Sequence, residues 1–525
     1  MLCQKKLCVS GLAGHMRIAL ATCSSFPEGG LDDRPLIDAL RRRGAEVSTP
    51  VWNDPSTDWG ALDAVLIRST WDYTDQRESF LIWAAAISEV TTLLSPLPLL
   101  HWNTTKTYLA DLAAAGQPII PTQWLTQPGV DLPTRLAAAG WTEGFCKPLI
   151  GANSQGTRRL TGTAEDTAWL EELIASGGAM LQPFRDTVAT DGEISAILVE
   201  GQLTHSLCKR PKDGDHRVQE SFGATESPHT LTAAQAALVE GVVQATAERL
   251  GMMPLVMRVD LLSGPEGPEL CEVELVEPCL FFRHHLPAAD VLAEALLRRL
   301  GIAAATPPLR PPPRWPVVVF DLDGTVIDSS EIVVDALNES RAALGLIPVD
   351  AARIRSGIGL PLRGMVAWLS EPGEDVDAIT AGYQDNYIRL APSREAAFAG
   401  MKELIVDLAI RGVTMGVATG KSQRGAESAS HRHCLDHWIH AIHGIVPGTP
   451  GKPDPAVLQR ALDDIGVGHE QAVLIGDTSY DMSLATAIGV DAIGVDWGVH
   501  DTDTLTESGA LTVAKTVDAL RALLL

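Results

Sequence analysis

The chain has 525 residues, several times the length of an ordinary domain of about 150 residues, and this excludes a single compact domain. With 46% apolar residues, the composition is that of a globular protein and excludes collagen-like and disordered classes. Acidic residues outnumber basic ones by 66 to 41, and the net charge of −25 argues against nucleic acid and membranes as partners.

The predicted elements begin with RIALAT, a strand-like run that follows Met16. We expect residues 1–15 to be a disordered leader or the result of a start codon placed too early, because they contain neither an apolar signal region nor a cleavage pattern. No run reaches the roughly 18 uncharged apolar residues of a membrane helix. The eight cysteines lack the CxxC and Cys/His spacings of metal sites, which predicts a reduced, cytoplasmic protein.

A proline-rich segment divides the chain. TPPLRPPPRWP, residues 306–316, contains six prolines, and such runs favour an extended, semi-rigid spacer. We therefore predict a linker over residues 303–316. Before it, strand-like and helix-like segments alternate from Met16, as in an open α/β layer, and we divide this part into residues 16–105 and 106–302, a division that follows the family resemblance given below; a third region occupies residues 317–525.

Polar clusters follow the early strands. RSTWDY comes at the exit of the strand-like DAVLIRST, and it is either part of a ligand site or a folding corner in which Trp71 packs and Asp72 caps. Because Arg is the common cation of this chain, each lysine in a motif suggests a need for a compact point charge. Six of the ten lysines fall in candidate motifs: Lys106, Lys147, Lys209, Lys212, Lys421 and Lys452.

A glycine-containing loop follows the next predicted strand. GFCKPLIGANSQGT places Lys147 on the strand and Gly151 and Gly156 in the loop. Glycines at these positions let backbone N–H groups surround a phosphate. Further along, CKRPKDGDHRVQE is rich in cations and is either part of the same site or a solvated cationic loop.

Three acidic residues are predicted on two adjacent strands. Asp260 closes one strand two residues after Arg258, and CEVELVEP places Glu272 and Glu274 on one face of the next strand. Like charges on one sheet face repel each other unless a cation neutralises them. The pattern therefore predicts Mg²⁺ held against nucleotide phosphates.

This ordered series, over about residues 16–300, resembles the ATP-grasp superfamily, in the subgroup that contains the cyclo-ligase forming cycloserine from O-ureidoserine. The resemblance implies two α+β layers with ATP between them, a carboxylate activated as an acyl-phosphate, and an amine that displaces the phosphate. The commoner family pattern has Asn at the position of Glu274, so the metal ligands depart from it there. The roles that the resemblance implies are α/β-phosphate binding by Lys106 and Lys147, adenine binding by Gln182 and Phe184, ribose binding by Glu193, nucleotide binding by Lys209, contact with the γ-phosphate or a substrate carboxylate by Arg217, stabilisation of the acyl-phosphate oxyanion by Arg258, and Mg²⁺ binding by Asp260, Glu272 and Glu274.

The third region carries charged residues at the ends of its predicted strands. VVVF is followed by Asp321 and Asp323, GVTMGVATG ends at Thr419, and AVLIG is followed by Asp477. Ligands of open α/β sheets bind at the carboxyl ends of parallel strands, so we expect these side chains to converge. A pair of carboxylates at that edge requires a cation.

The order DLDGT, VATGK, GKP and GDTSYD resembles the haloacid dehalogenase-like phosphatase superfamily, in the branch similar to phosphoglycolate phosphatases. The resemblance covers residues 317–525 and implies a Rossmann-like core with an inserted helical cap at about 331–397, which would exclude water and select the substrate. Taken singly, DxDGT is also compatible with a solvated turn, and GDTSYD with a helix cap. The implied roles are nucleophile for Asp321, general acid and base for Asp323, binding of phosphoryl oxygens for Thr419 and Lys452, and Mg²⁺ binding for Asp321, Asp323 and Asp477, with Asp481 orienting that shell.

Two cap arginines, Arg355 and Arg363, either meet an anionic substrate group or are ordinary exposed helix residues. The sequence as a whole predicts a multidomain α/β enzyme with two activities, an ATP-dependent carboxylate–amine ligase and a Mg²⁺-dependent phosphatase. The expected partners are ATP, a small carboxylate, an amine and a small phosphate ester. Two alternatives stay open: a non-catalytic nucleotide-binding half that regulates the phosphatase, and a repair phosphatase of the phosphoglycolate type.

Overall fold

The computed structural model describes residues 16–219, 222–302, 307 and 310–525. The predicted leader, residues 1–15, and residues 303–306 and 308–309 of the predicted linker lie outside the described residues. The chain divides into two compact units, Met1–Pro308 and Leu309–Leu525. Over the described ranges, no helix has the length and apolar character needed to cross a membrane.

The first unit is built from short strands and amphipathic helices. Its strands are β1 (Arg17–Ala21), β2 (Glu46–Ser48), β3 (Ala64–Ile67), β4 (Thr92–Leu93), β5 (Gln123–Leu125), β6 (Gly144–Pro148), β7 (Arg158–Leu160), β8 (Ala179–Pro183), β9 (Glu193–Val199), β10 (Gln202–Arg210), β11 (Thr225–Pro228), β12 (Val256–Gly264) and β13 (Gly267–Glu274). Its α-helices are α1 (Arg34–Arg42), α2 (Arg77–Ser88), α3 (Leu97–Asn103), α4 (Tyr108–Ala114), α5 (Leu132–Ala139), α6 (Ala164–Gly177), α7 (Thr187–Thr190), α8 (Ala233–Leu250) and α9 (Pro287–Arg299).

These strands form three sheets. The first is parallel, in the order β2-β1-β3-β4. The second, β5-β8-β6-β7, and the third, β11-β10-β9-β12-β13, are antiparallel. In the third sheet β12 lies between β9 and β13, and this neighbourhood places the acidic residues of two strands side by side.

Helices cover the third sheet through one apolar face each. Thr232 caps the start of helix α8, its hydroxyl accepting a hydrogen bond from the Gln235 amide, and Gly251 caps the end of the helix with a left-handed backbone that favours glycine. Val239 and Val242 of this helix share one buried cluster with residues of β13. Helix α8 therefore packs against the sheet that carries the acidic residues.

The second unit alternates strands and helices. Its strands are β14 (Val317–Phe320), β15 (Ile327–Asp328), β16 (Ala396–Ala397), β17 (Thr414–Ser422), β18 (Ala441–Ile445), β19 (Ala472–Gly476), β20 (Asp491–Val495) and β21 (Thr512–Ala514). Its helices are α10 (Ser330–Ala343), α11 (Ala351–Arg355), α12 (Leu362–Leu369), α13 (Val376–Arg394), α14 (Met401–Ile410), α15 (Gln423–Arg432), α16 (Ala456–Ile465), α17 (Ser479–Ala487), α18 (Thr502–Glu507) and α19 (Val517–Leu524).

A six-stranded parallel sheet, in the order β18-β17-β14-β19-β20-β21, forms the core of this unit. The predicted strand VVVF is confirmed at residues 317–320, and all four of its side chains are buried, as expected for a central parallel strand. The core is thus of the Rossmann type that the sequence predicted. Its central strand, β14, ends directly before Asp321.

Helices α10 to α13 form an insertion between β15 and β16. These two strands pair with each other and close the base of the insertion. The helices have their own buried cluster, which includes Leu337, Ile354, Val366 and Ile379. A helical insertion therefore follows the first strand of the core, where the sequence predicted a cap.

Candidate active sites

The first unit contains an open cleft with an empty volume of about 1210 Å³. Its walls come from the second and third sheets and from the loop after β6. The predicted site residues of this unit lie along the cleft with the exception of Arg217. Those that line it are Lys106, Lys147, Gln182, Phe184, Glu193, Lys209, Arg258, Asp260, Glu272 and Glu274.

Strand register places the acidic residues of the cleft opposite one another. Asp260 on β12 pairs directly with Glu272 on β13, and Arg258 pairs with Glu274. Such cross-strand neighbours have Cβ atoms about 5 Å apart. On the other side of β12, Asp260 pairs with Ser195, whose hydroxyl donates to Asp260 Oδ1 over 2.5 Å. The two neighbouring strands therefore carry Asp260, Glu272 and Glu274 along one edge of the cleft, the adjacent-strand arrangement that the sequence pattern predicted.

Protein cations partly neutralise these carboxylates. Arg258 Nη2 donates to Asp260 Oδ2 over 2.9 Å and also contacts Glu274, and Lys106 Nζ contacts Glu272. Burial opposes ionisation of Asp260, but Arg258 and Lys209 outweigh it and lower the pKa of Asp260 to about 2. Burial together with repulsion from Glu272 raises the pKa of Glu274 to about 7, although Arg258 opposes that shift. A divalent cation bound by these oxygens would remove the remaining repulsion, and carboxylate oxygens are the donors that Mg²⁺ prefers.

Two lysines, the half-buried Lys147 and the buried Lys209, lie near the same acids. Lys147 Nζ lies 3.4 Å from Cys271 Sγ, and Lys209 Nζ lies 2.5 Å from Glu193 Oε1. Burial acts against the charge of Lys147, yet the neighbouring Cys271 and Glu272 raise its pKa overall. Two cations that remain charged in the cleft can bind phosphate oxygens strongly.

The loop after β6 adds backbone groups to the cleft. Asn153 and Ser154 have φ values of 51° and 55°, and Gly156 has a φ of 65°, so three residues of one short loop are left-handed. Turns that contain left-handed residues can point neighbouring N–H groups toward one side, where they can bind an anion. The loop lines the cleft beside Lys147.

An aromatic group forms another part of the wall. The ring centroids of Phe145 and His216 are 5.2 Å apart, and each lies 6.1 Å from that of Phe184. Burial lowers the pKa of His216, so this ring is neutral near pH 7. Gln182 is buried and donates to Thr122 Oγ1 over 3.0 Å. Flat rings beside a buried amide suit a heteroaromatic base.

Two sequence motifs occupy other places. Arg217 lies outside the cleft, with Nη2 2.6 Å from Asp215 Oδ2 and its guanidinium 3.8 Å from the centre of the Phe222 ring. In RSTWDY, Arg68 forms a buried ion pair with Asp33, with Arg68 Nε donating to Asp33 Oδ1 over 2.7 Å. Most of that motif is therefore a folding corner.

Two other residues of RSTWDY, Asp72 and Tyr73, make different contacts from those of Arg68. Asp72 accepts a hydrogen bond of 2.8 Å from Trp52 Nε1, which fixes the corner to a buried indole. Tyr73 lines the cleft, and burial raises the pKa of its hydroxyl well above the usual value. A tyrosine that stays protonated at the cleft can donate a hydrogen bond to a ligand.

Glu277 is an acidic cleft residue that was not among those predicted from the sequence. Only 7% of its surface is exposed, and burial followed by repulsion from Glu274 raises its pKa to about 8. It is the third acid of the quoted segment CEVELVEP, three residues after Glu274. The high density of acidic residues in that segment is the signal from which Glu277 could have been predicted.

The second unit brings three carboxylates together at the end of its sheet. Asp321 follows β14, Asp477 follows β19, and Asp481 lies one turn into α17; one oxygen of each lies within 4.8 Å of the others. Lys452 Nζ lies 2.7 Å from Asp321 Oδ1 and 2.5 Å from Asp481 Oδ1. All four side chains are closed to solvent. Residues of three motifs that are distant in the chain, DLDGT, GKP and GDTSYD, therefore meet at one place, as the sequence predicted.

Charge in this cluster is incompletely balanced. Burial raises the pKa of Asp321 to about 6, against the opposing effect of Lys452 and with help from Asp481. Burial, followed by repulsion from Asp321, raises the pKa of Asp477 well above its usual value. Asp321 Oδ2 is buried and has no hydrogen-bond partner among the described residues. A buried, unpartnered carboxylate oxygen beside two further acids fits a divalent cation.

The surrounding backbone leaves room for nothing larger than glycine. A Cβ atom on Gly324 would lie 2.2 Å from Asp477 Oδ2, and a Cβ atom on Gly498 would lie 2.3 Å from it. Thr325 Oγ1 donates to Asp477 Oδ1 over 2.8 Å, and Val499 N donates to Oδ2 over 2.9 Å. Asp477 is therefore held in one orientation from four sides.

Asp323 and Thr419 complete the predicted set. Asp323 is not one of the three clustered carboxylates; its Oδ1 lies 2.8 Å from Lys421 Nζ and contacts the hydroxyl of Ser329. Thr419 is buried near the end of β17, and its hydroxyl lies 3.4 Å from the Lys421 amide. Lys421 was singled out in the sequence only as a lysine within a motif.

The two cap arginines pair with cap residues. Arg355 forms an ion pair with Glu331, and Arg363 forms one with Asp377 over 2.8 Å. The side chain of Arg363 is 68% exposed. Of the two interpretations of these arginines, the structure favours exposed helix residues.

Comparison with known proteins matches each unit separately. Residues 18–95 match the family described as D-cycloserine synthetase DcsG, N-terminal domain, and residues 318–495 match the family described as haloacid dehalogenase-like hydrolase. The cycloserine biosynthesis protein DcsG of Streptomyces lavendulae is 33% identical over 288 residues, which cover 51% of this chain and 94% of that protein. The chain joins a DcsG-family unit to a haloacid dehalogenase-like hydrolase. The predicted relation of the first unit to the cycloserine-forming enzymes is thereby confirmed.

Further similarities concern each unit. A crystal structure of D-cycloserine synthetase DcsG aligns with a TM-score of 0.50 and 31% identity, covering 54% of this chain and 99% of that one. For the haloacid dehalogenase-like unit, the probable phosphatase IndB of Dickeya dadantii is 32% identical and covers 36% of this chain and 85% of that protein. The predicted hydrolase of the second unit is therefore confirmed at the level of the family, and a phosphatase is among its relatives.

Proposed function

We propose that the first unit is an ATP-dependent carboxylate–amine ligase of the ATP-grasp type. The observation that supports this proposal best is the pairing of Asp260 with Glu272 across two strands, within a cleft that also holds the half-buried Lys147 and the buried Lys209. This arrangement offers carboxylates for a metal and cations for phosphates in one place. The similarity to a cycloserine biosynthesis protein agrees with a ligase that closes or joins an amine and an acyl group.

The proposed reaction has two steps. A substrate carboxylate oxygen attacks the γ-phosphorus of ATP, ADP leaves, and an acyl-phosphate forms; an amine nitrogen then attacks the acyl carbon and inorganic phosphate leaves. Mg²⁺ bound by Asp260, Glu272 and Glu274 would neutralise phosphate charge. Arg258, beside those acids, would stabilise the oxyanion of the second step. Lys147 and the loop after β6, with its left-handed residues, would hold the triphosphate chain of ATP.

We propose that the second unit is a phosphatase that uses Asp321 as its nucleophile. Asp321 would attack phosphorus with the alcohol as leaving group, Asp323 would protonate the leaving oxygen, and Asp323 would then take a proton from the water that hydrolyses the aspartyl-phosphate. Lys452 and Thr419 would bind the phosphoryl oxygens. Mg²⁺ held by Asp321, Asp477 and the carbonyl of Asp323 would supply charge neutralisation. The unpartnered Oδ2 of Asp321 is the observation that supports this proposal best.

The ligase proposal is tested with the full chain, ATP, Mg²⁺ and a panel of amino acids that includes O-ureidoserine. We expect ADP release only when an acceptor is present, and we expect Arg258→Met to reduce it by about 100-fold or more. Acceptor-independent binding of ATP without turnover would favour the alternative in which this unit regulates the hydrolase. The phosphatase proposal is tested with an aryl phosphate and the Asp321→Asn variant, which should be inactive.

A further inference from the structure

Lys421 links the acid of the second unit to its helical cap. Lys421 stands near the end of β17 in the core, and its Nζ lies 2.8 Å from Asp323 Oδ1. The same Nζ donates a hydrogen bond of 2.8 Å to the hydroxyl of Tyr387 on the cap helix α13, and the Tyr387 hydroxyl donates to Glu395 Oε1 over 2.6 Å. One chain of polar contacts thus runs from the proposed general acid to the cap.

This chain differs from an ordinary surface ion pair. Only 11% of the Lys421 side chain and 15% of the Asp323 side chain are exposed, and the Glu395 side chain is fully buried. Lys421 Nζ also lies 4.3 Å from the centre of the Tyr387 ring, so the tyrosine contacts the cation through both its hydroxyl and its ring. Ion pairs on the surface are screened by solvent and contribute little to stability. Buried groups that form several hydrogen bonds have well-defined positions.

The contacts also select one oxygen of Asp323. Lys421 Nζ and the Ser329 hydroxyl both approach Oδ1, and the described residues form no hydrogen bond with Oδ2. With Oδ1 held from two sides, Oδ2 is the oxygen free to exchange a proton. The orientation of Oδ2 then depends on Lys421 and Ser329, the two donors that hold Oδ1.

We infer that Lys421 is a positioning residue that aims Asp323 at the leaving oxygen, and that Tyr387 makes this orientation depend on the cap. The inference rests on the proposed role of Asp323 as general acid. Removing Lys421 would leave Asp323 free to rotate, so proton delivery to the leaving group would weaken while attack by Asp321 would continue. Protonation matters most for poor leaving groups, and this dependence separates the positioning role from a structural one.

The experiment measures kcat/KM, which reports the first phosphoryl transfer and not the later hydrolysis of the aspartyl-phosphate, for 4-nitrophenyl phosphate and for phenyl phosphate with the full-length protein and Mg²⁺. For Lys421→Met we expect a loss of about 100-fold on phenyl phosphate, the poorer leaving group, and less than about 10-fold on 4-nitrophenyl phosphate. Lys421→Arg keeps the cation and should recover part of the loss on phenyl phosphate. Equal losses of Lys421→Met on both substrates, or none, would overturn the inference.

The cap contribution is tested separately with two tyrosines of one helix. Tyr387→Phe removes the hydroxyl that contacts Lys421, and Tyr383→Phe makes the same chemical change one turn away, where the rings are 5.8 Å apart. We expect Tyr387→Phe to lose about 10-fold on phenyl phosphate, with the Tyr383→Phe control near wild type. Identical behaviour of the two variants would overturn the cap dependence. Both changes are conservative, so they stay informative if Lys421→Met does not fold.

Asp323→Asn serves as the reference. If it loses far more activity on phenyl phosphate than on 4-nitrophenyl phosphate, Asp323 is the acid, and the result for Lys421→Met then decides the positioning role alone. If Asp323→Asn shows no such difference, the proposed acid is wrong and the inference falls with it.

Discussion

Lys452 Nζ lies 2.7 Å from Asp321 Oδ1, and both side chains are closed to solvent. The two residues are 131 positions apart in the chain. The same ammonium also lies 2.5 Å from Asp481 Oδ1, so one buried cation faces two buried carboxylates. Buried charges of this kind destabilise the fold unless neighbouring charges of opposite sign neutralise them.

Replacing Lys452 by Met should therefore harm both stability and activity. Three neighbouring carboxylates would lose their buried cation, which typically costs about 3–5 kcal/mol. We expect the thermal midpoint of the second unit in EDTA to fall, and phosphatase activity to fall by at least about 100-fold, because the phosphoryl oxygens lose their cation. Calorimetry and an aryl phosphate assay measure the two effects. A variant with wild-type stability and rate would show that Lys452 is not essential to the charge balance.

The pKa shifts of the second site predict how stability depends on pH without metal. Asp321 has a folded pKa of about 6, above its usual value, and the pKa of Asp477 is also raised well above its usual value. A carboxyl group with a raised folded pKa stabilises the fold while it is protonated and loses that contribution as pH rises from about 4 through its folded pKa. In EDTA we expect the thermal midpoint of this unit to fall between pH 5 and pH 7.

Added Mg²⁺ should reverse that loss. The increase in the thermal midpoint caused by MgCl₂ should be larger at pH 7 than at pH 5, because the carboxyls must lose their protons to bind the metal. Asp477→Asn should abolish most of the increase. An increase that does not depend on pH, or that survives in the variant, would rule out these carboxylates as the metal site.

Glu277 offers a matched test in the first unit. Its folded pKa is raised to about 8 by burial and by Glu274, so its ionised form destabilises the metal-free fold increasingly between about pH 4.5 and pH 8. Glu277→Gln should raise the free energy of unfolding in EDTA by about 2–4 kcal/mol at pH 8 and by much less at pH 5. Glu266→Gln removes an exposed carboxyl instead and should change little. Equal effects of both variants at pH 8 would contradict the proposed electrostatic strain around Glu277.

The glycine at position 498 tests the placement of Asp477 by shape alone. A Cβ atom there would lie 2.3 Å from Asp477, so Gly498→Ala must displace that carboxylate. We expect a loss of Mg²⁺-dependent phosphatase activity of about 100-fold or more. Gly364→Ala, in helix α12, meets nothing within 4 Å and serves as the control. Full activity of Gly498→Ala would mean that Asp477 does not have to occupy this position.

The sequence predicted those parts of the sites that depend on strand ends. Asp321 and Asp477 follow short apolar strands, and residues after neighbouring parallel strands necessarily meet at one edge of the sheet. Asp260 and Glu272 could be placed on one face because side chains alternate along a strand. These predictions use only local periodicity and the order of elements.

Other features depend on where loops and distant helices pack, which local patterns do not encode. Arg217 stands in a cation-rich segment, but its partner is Asp215, two residues away, and it lies outside the cleft. Arg68 belongs to a motif at a strand exit, but its contact with Asp33 makes it a structural residue. The link from Lys421 to the cap joins two elements that only the fold brings together.

The most direct test of the central claim, two separate phosphoryl-transfer sites in one chain, is to measure ADP formation and 4-nitrophenol release together in wild type, Asp321→Asn and Lys147→Met. Asp321→Asn should lose 4-nitrophenyl phosphate hydrolysis by about 1,000-fold or more and keep acceptor-dependent ADP formation. Lys147→Met should lose ADP formation by about 100-fold and keep the hydrolysis. Loss of both activities in either folded variant, or no ADP formation by wild type with any acceptor, would contradict the claim.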